Sequence, residues 1–327
     1  MQAFCLLMNL FSHNQRLLSC LFLSALPALA QTSGLPQADV ARQQTLAQGA
    51  WGSLLNKADD ESEANAPAAA PKMDGDDEYG EQRILLRRAS WAPWSFEADL
   101  EAQWTDNAAL SRDNAESDSY LRTGMRAGYS NRVVGNLFFN AGMDYHTVRH
   151  SEFTELDFDL LRGDLGLMYM LPKLQDAFIV TRYSYYRLTE AGLGTLLYED
   201  HIASLGLQKV WKISRGQQIF AGTYADWSTA PQPWGAGRHE YSLFTGWKLR
   251  LTEALTVQLS YRGARYLYRT GERQDWNHVM LAGATYAFTD WLRAGVTSSY
   301  TVNRSSGAAF DYQNFIVGAG LTAHWEF

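Results

Sequence analysis

The reading turns on the stretch Phe315-Ile316-Val317-Gly318-Ala319-Gly320-Leu321-Thr322-Ala323-His324-Trp325-Glu326-Phe327. One parity holds Phe315, Val317, Ala319, Leu321, Ala323, Trp325 and Phe327. The other holds Ile316, Gly318, Gly320, Thr322, His324 and Glu326. A period of two places these sets on opposite faces of a β-strand. The apolar face is continuous and ends in aromatic rings. The opposite face is rich in glycine and small polar groups.

The same texture runs back to about Trp91. Aromatic, β-branched and glycine residues dominate, and no segment there has the ~20 apolar residues of a spanning helix. The pattern predicts about twelve strands, over 93–105, 119–130, 136–147, 157–170, 177–188, 200–212, 218–228, 239–250, 254–268, 276–288, 291–302 and 312–327. In the second, Leu121, Thr123, Met125, Ala127 and Tyr129 oppose Arg122, Gly124, Arg126, Gly128 and Ser130. In the third, Leu137, Phe139, Ala141, Met143 and Tyr145 oppose Phe138, Asn140, Gly142, Asp144 and His146. In the ninth, Leu255, Val257, Leu259 and Tyr261 oppose Thr256, Gln258, Ser260 and Arg262. A soluble sandwich hides its large apolar face and exposes charge. Small polar residues with occasional Arg and Asp suit a narrow polar lumen with lipid outside.

Connections alternate in length. Those over 131–135, 171–175, 213–217, 251–253 and 289–290 are short, whereas 106–118, 150–156, 189–199, 229–238, 270–275 and 303–311 are longer and more polar. That alternation suits tight turns on one side of a membrane and loops on the other. The loops are too short for a dedicated plug. Trp94 and Trp104 stand ten residues apart, ~33 Å along a strand. A tilt of ~40° projects this to ~25 Å, the height of a lipid-facing band between aromatic girdles. Trp211, Trp227, Trp247, Trp276 and Trp291 also fall near expected strand ends.

The N-terminal third reads differently. Arg16 precedes an apolar run from Leu17 to Leu26, and Ala28-Leu29-Ala30 follows, which predicts a signal peptide over 1–30. Met8 would give a more ordinary start. The run is too short for a membrane anchor. Both cysteines, Cys5 and Cys20, lie in this leader, so the mature chain carries none, as befits an oxidising compartment. Residues 31–56 form an expected periplasmic segment, with a short helix over 37–56 in which Val40, Leu46, Trp51, Leu54 and Leu55 make a loose apolar stripe. A frayed tether and a docking segment for a periplasmic partner both fit it. Residues 57–88 read as an acidic, disordered linker ahead of the barrel at 89–327. Nine of the 35 acidic residues fall between Asp59 and Glu81. From Gln82 onward 24 Lys and Arg face 25 Asp and Glu, so the net charge belongs to the linker, and no basic patch points to nucleic acid.

A C-terminal strand of alternating apolar residues that ends on Trp325 and Phe327 resembles the signature of Gram-negative outer-membrane β-barrels. The resemblance implies a transmembrane, antiparallel, up-and-down barrel in outer-membrane lipid whose last strand is read by the barrel-assembly machinery. The barrel region is similar to a broad porin-like group, some of whose members accompany exopolysaccharide export. Trp104-Thr105-Asp106-Asn107-Ala108-Ala109-Leu110 and Ser117-Asp118-Ser119-Tyr120 resemble that group's first hairpin.

For function, the lumen side matters. Glu97, Asp99 and Glu101 share one face of the first strand, and Arg122 and Arg126 share the polar face of the second. Inward residues of opposite sign on adjacent strands can pair. Asp144, Arg162, Asp164, Arg182 and Arg262, with Lys212, Lys248, Arg250 and Arg293, extend the set. A charged constriction that selects solutes and a salt-bridge network that fills a narrow lumen both predict this pattern. The expected function is passive diffusion of small hydrophilic solutes or ions, with no enzymatic activity and no cofactor. The alternative is an outer-membrane anchor or export conduit of a polysaccharide assembly. No histidine sits in a His-x-Ser-Asn-Gly phospholipase pattern, and the nearest constellation is a loop cluster of His146, His150, Ser151 and Glu152. Asp74-Gly75-Asp76-Asp77-Glu78 lacks the spacing of a calcium-binding hand, and there is no phosphate loop or zinc motif.

Overall fold

A computed structural model describes residues 92–174, 177–214 and 216–327. The expected leader, helix and linker lie outside them. Twelve strands run in chain order: β1 (Trp94–Thr105), β2 (Asp118–Val134), β3 (Leu137–His150), β4 (Phe158–Leu171), β5 (Ala177–Glu190), β6 (Leu196–Ser214), β7 (Gln217–Ser228), β8 (Arg238–Arg250), β9 (Leu255–Tyr268), β10 (Gln274–Ala287), β11 (Leu292–Ser305) and β12 (Tyr312–Glu326). Each pairs antiparallel with its chain neighbours, and β12 returns to β1 from Ser95↔Glu326 to Thr105↔Ile316. The sheet therefore has no free edge, as a hydrocarbon environment demands of any spanning sheet.

The strands coincide with the alternating segments to within a few residues. The largest departure is at the β5–β6 hairpin, where a connection over 189–199 was expected. Both strands run on through an irregularity at Leu188 and Thr189, and only 191–195 remain between them. Tyr185 Oη donates to Glu199 Oε2 at 2.9 Å in the added rungs.

Side-chain direction follows the pleat. Leu100, Leu121, Met125, Met143, Leu165, Leu205, Leu243, Leu259, Met280 and Leu321 all stand exposed on the outer surface. In water such a continuous apolar belt would aggregate, so it marks a surface built for lipid. Aromatic rings edge it at both ends. Trp94, Trp291 and Trp325 gather at the end of the short turns, with Trp291 and Trp325 stacked at 6.3 Å. Trp104 and Trp276 lie at the long-loop end.

The interior departs from the uniformly polar lumen expected. Phe138, Met168 and Phe178 form an apolar cluster toward the short turns. Val148, Phe158, Leu160, Tyr186, Leu188 and Ile202 form another toward the long loops. Their inward parity follows from the register of β3 to β6. Apolar side chains inside a barrel fill space without requiring a partner for every polar atom.

The first long connection, 106–117, also turns inward. Leu110 packs on the inward residues Tyr312, Ile316 and Tyr120. The hairpin motif holds it there. Asp106 Oδ1 accepts from Phe315 N at 2.7 Å, and Asn107 Nδ2 donates to the carbonyls of Ser111 and Gln313, both at 2.8 Å. Asp118 accepts from the amides of Ser119, Glu152 and Phe153, tying this loop to the next.

Candidate functional site

The register of β1 to β4 dictates an ionic arc on the lumen wall. Residues two apart on β1 bring Glu97, Asp99 and Glu101 to one face. Directly across, Glu101 meets Arg122, and Glu97 meets Arg126. On the next rungs Arg126 faces Asp144, and Asp144 faces Arg162.

Side chains complete what the backbone arranges. Arg122 Nη2 lies 2.9 Å from Glu101 Oε2 and 3.5 Å from Asp99 Oδ2. Arg126 reaches Glu97 at 3.5 Å through Nη1 and Asp144 at 2.6 Å through Nε. Asp144 also binds Arg162, whose Nε lies 3.6 Å from Asp164 Oδ1. Closure of the barrel adds two members: His324 Nδ1 stands 3.7 Å from Glu97, and Thr297 Oγ1 donates to Glu101 at 2.7 Å. The arc thus extends from β11 across the seam to β4 in two adjoining groups, one around Arg122 and one from His324 through Arg126 to Asp164.

Arg122 is 3% exposed and Asp144 2%. Charges removed from water to this degree are tolerable only when paired, and Arg122 between two carboxylates and Asp144 between two guanidiniums answer that need. Gly124 leaves room for the arrangement, because a Cβ there would collide with both Asp99 and His146. The arc borders a cavity of about 800 Å³, counted with the part open to the lumen, which Arg293 also lines. Three carboxylates, Glu97, Asp99 and Glu101, and three guanidiniums, Arg122, Arg126 and Arg293, line that cavity, so its formal charge balances.

All ten lumen residues expected from sequence face inward. Eight gather in this arc. Arg182 and Arg262 do not join it and sit on the facing wall. Arg262 pairs with Glu240, and Arg182 lies 5.9 Å above the ring of Tyr224. Tyr266 on the same wall lies beneath Arg238 at 3.8 Å. Lys212, Lys248 and Arg250 also occupy inward register positions, near the short turns.

The expected loop cluster of His146, His150, Ser151 and Glu152 does not form. His146 and His150 belong to β3 and face the lumen at different levels. His150 packs beside Tyr120 and approaches Asp157 at 3.3 Å, while His146 lies among the arginines of the arc. Sequence reasoning also missed Thr297 and His324, which reach the arc only because β12 meets β1.

No protein-family model matches this chain, and no curated protein does. Among solved structures, an outer membrane channel from Pseudomonas putida F1 superposes with a TM-score of 0.52 at 9% identity, covering 75% of this chain and 100% of that one. The CymD monoaromatic hydrocarbon channel follows with a TM-score of 0.43 at 9% identity, covering 72% and 89%. The NanC porin gives 0.42 at 12% identity, covering 69% and 98%. With the closed sheet and lipid-facing belt, the first of these likenesses identifies an outer-membrane β-barrel of twelve strands. Its short turns and both ends of the barrel chain lie at the same end of the sheet.

Proposed function

We propose that this barrel is a channel for passive diffusion of small hydrophilic solutes or ions, and that the arc on β1 to β4 is its selective constriction. The observation that carries the reading is the placement of the charge. Three arginines and five carboxylates converge on one wall of the lumen, against a facing wall that carries aromatic rings and the Arg262–Glu240 pair. A barrel serving only as an anchor could fill the same volume with apolar side chains at no desolvation cost. Ion pairs retained around a cavity instead give a local field across the path of a solute. A twelve-strand sheet with its lumen lined by side chains leaves a passage much narrower than that of 16–18-stranded porins, so the field acts at close range.

The test is to refold the barrel, insert it in a planar bilayer and record single channels. Steady conductance with a measurable preference between cations and anions is expected. A folded barrel that stays silent would overturn the reading.

A further inference from the structure

The wall facing the ionic arc carries a second, chemically different cavity. Its lining includes Arg182, Phe220, Tyr224, Phe244, Val279 and Leu281 beside several polar residues, with about 750 Å³ of empty space counted together with its opening to the lumen. All six occupy inward register positions on β5, β7, β8 and β10. Such a concentration of apolar side chains is foreign to a water-filled passage, and it is built with care.

Each ring lies against a glycine directly across the rung. Tyr224 pairs with Gly206, Phe244 with Gly222, and Phe220 with Gly246. A Cβ on Gly222 would stand 2.5 Å from Phe244 Cζ and 2.7 Å from the carbonyl oxygen of Leu207. A Cβ on Gly206 or Gly246 would strike the Tyr224 or Phe220 ring in the same way. The glycines let the rings lie flat on the wall, so the cavity stays open. Tyr224 and Phe244 are stacked at 6.0 Å with an interplanar angle of 23°, and Phe220 lies 6.4 Å from Phe244.

Two guanidiniums line the cavity, and one of them, Arg262, is held by Glu240. The Arg182 guanidinium lies over Tyr224 at 5.9 Å, and its Nε is buried without a hydrogen-bond partner. The carboxylates nearby are already engaged: Glu240 binds Arg262, and Asp226 is not free either. A stacked guanidinium presents its N–H edge to a carboxylate in bidentate fashion, and the rings beside it offer a flat apolar surface.

We propose that this cavity is a binding subsite for aromatic monocarboxylates, with the carboxylate on Arg182 and the ring against Phe220, Tyr224 and Phe244. The proposal rests on the channel reading, because the solute reaches the subsite through the lumen. The apolar floor of Val279 and Leu281 favours an unsubstituted ring over a hydroxylated one, whose hydroxyls would lose water without replacement.

The experiment records KCl current through single channels while benzoate is titrated, with glucuronate as an equally charged but hydroxylated ring and benzyl alcohol as the uncharged one. Benzoate should interrupt the current at concentrations at least about tenfold below either control, as the loss of one charge-assisted contact implies. Arg182→Gln should weaken the benzoate block about tenfold, and Gly222→Ala should weaken it by pushing Phe244 into the cavity. Equal block by benzoate and glucuronate, or benzoate block unaffected by both substitutions, would overturn the subsite. A conducting channel that benzoate leaves untouched would overturn it too, with the channel reading intact. If the folded barrel is silent, calorimetric titration of benzoate into the detergent-solubilised protein decides: binding lost in Arg182→Gln supports the subsite, and no binding refutes it.

Discussion

Replacing Arg122 and Arg126 together by alanine removes two of the three guanidiniums that line the cavity with three carboxylates. The acidic excess there rises from zero to two. Two unit charges ~6 Å from a permeating ion act on it with ~1.4 kcal/mol in the dielectric of water. At 0.1 M salt, with a Debye length of ~10 Å, about half of that survives screening. The change favours a cation and opposes an anion by the same amount, so the two separate by ~1.5 kcal/mol, or about tenfold in permeability ratio. The assay is the reversal potential across a KCl gradient, compared between the wild-type barrel and the double variant. Folding of both is verified by heat-modifiable migration in gels. A folded double variant whose reversal potential and conductance match the wild type would refute the constriction and leave the arc as packing alone.

Asp144→Ala tests the arc from its centre. Arg126 retains Glu97 and Arg162 retains Asp164, so the loss should fall below the ~3–5 kcal/mol of an orphaned buried pair, at ~1–3 kcal/mol in urea titrations in lipid vesicles. Leu243→Arg, at the middle of β8 on the lipid face, should cost ~2–4 kcal/mol by the same titration. Ser242→Arg, one residue away, faces the lumen and should cost less if the faces are assigned correctly. In Gly222→Ala the Phe244 ring must move by roughly 1–1.5 Å to restore a normal carbon contact. The expected outcome is a folded barrel with reduced conductance, and unchanged conductance would place the ring outside the ion path.

The strands and their two faces were legible because each is a local pattern. Arg122 and Arg126 declare their face through Leu121, Thr123 and Met125, which alternate with them. The partnerships were not legible in the same way. Sequence can place Glu97 inward but cannot announce His324 as its neighbour, since that contact depends on the twelfth strand meeting the first. The split between Arg162 in the arc and Arg182 on the facing wall was hidden for a related reason. Both are inward arginines, and what separates them is the rung neighbour: Arg162 faces Asp144, whereas Arg182 faces Gly166 and Ser204. A signal did exist: Gly206, Gly222 and Gly246 alternate in phase with Tyr224, Phe244 and Phe220. It becomes readable only once the register is known. The lengthened β5–β6 hairpin escaped because Gly192 and Gly194 interrupt the alternation and read as loop, whereas the backbone takes its tight turn at Gly192 with φ +75° and resumes pairing.

The contacts of Glu97 with His324 and of Glu101 with Thr297 span the joint between the first strand and the last two. No contiguous fragment short of the whole barrel can therefore assemble the full arc. While the joint is open, these acids lack two of their partners and the cavity has no far side. If the arc is the filter proposed above, selectivity arises in the same event that seals the sheet, and an unfinished molecule in the membrane has no defined filter through which to leak.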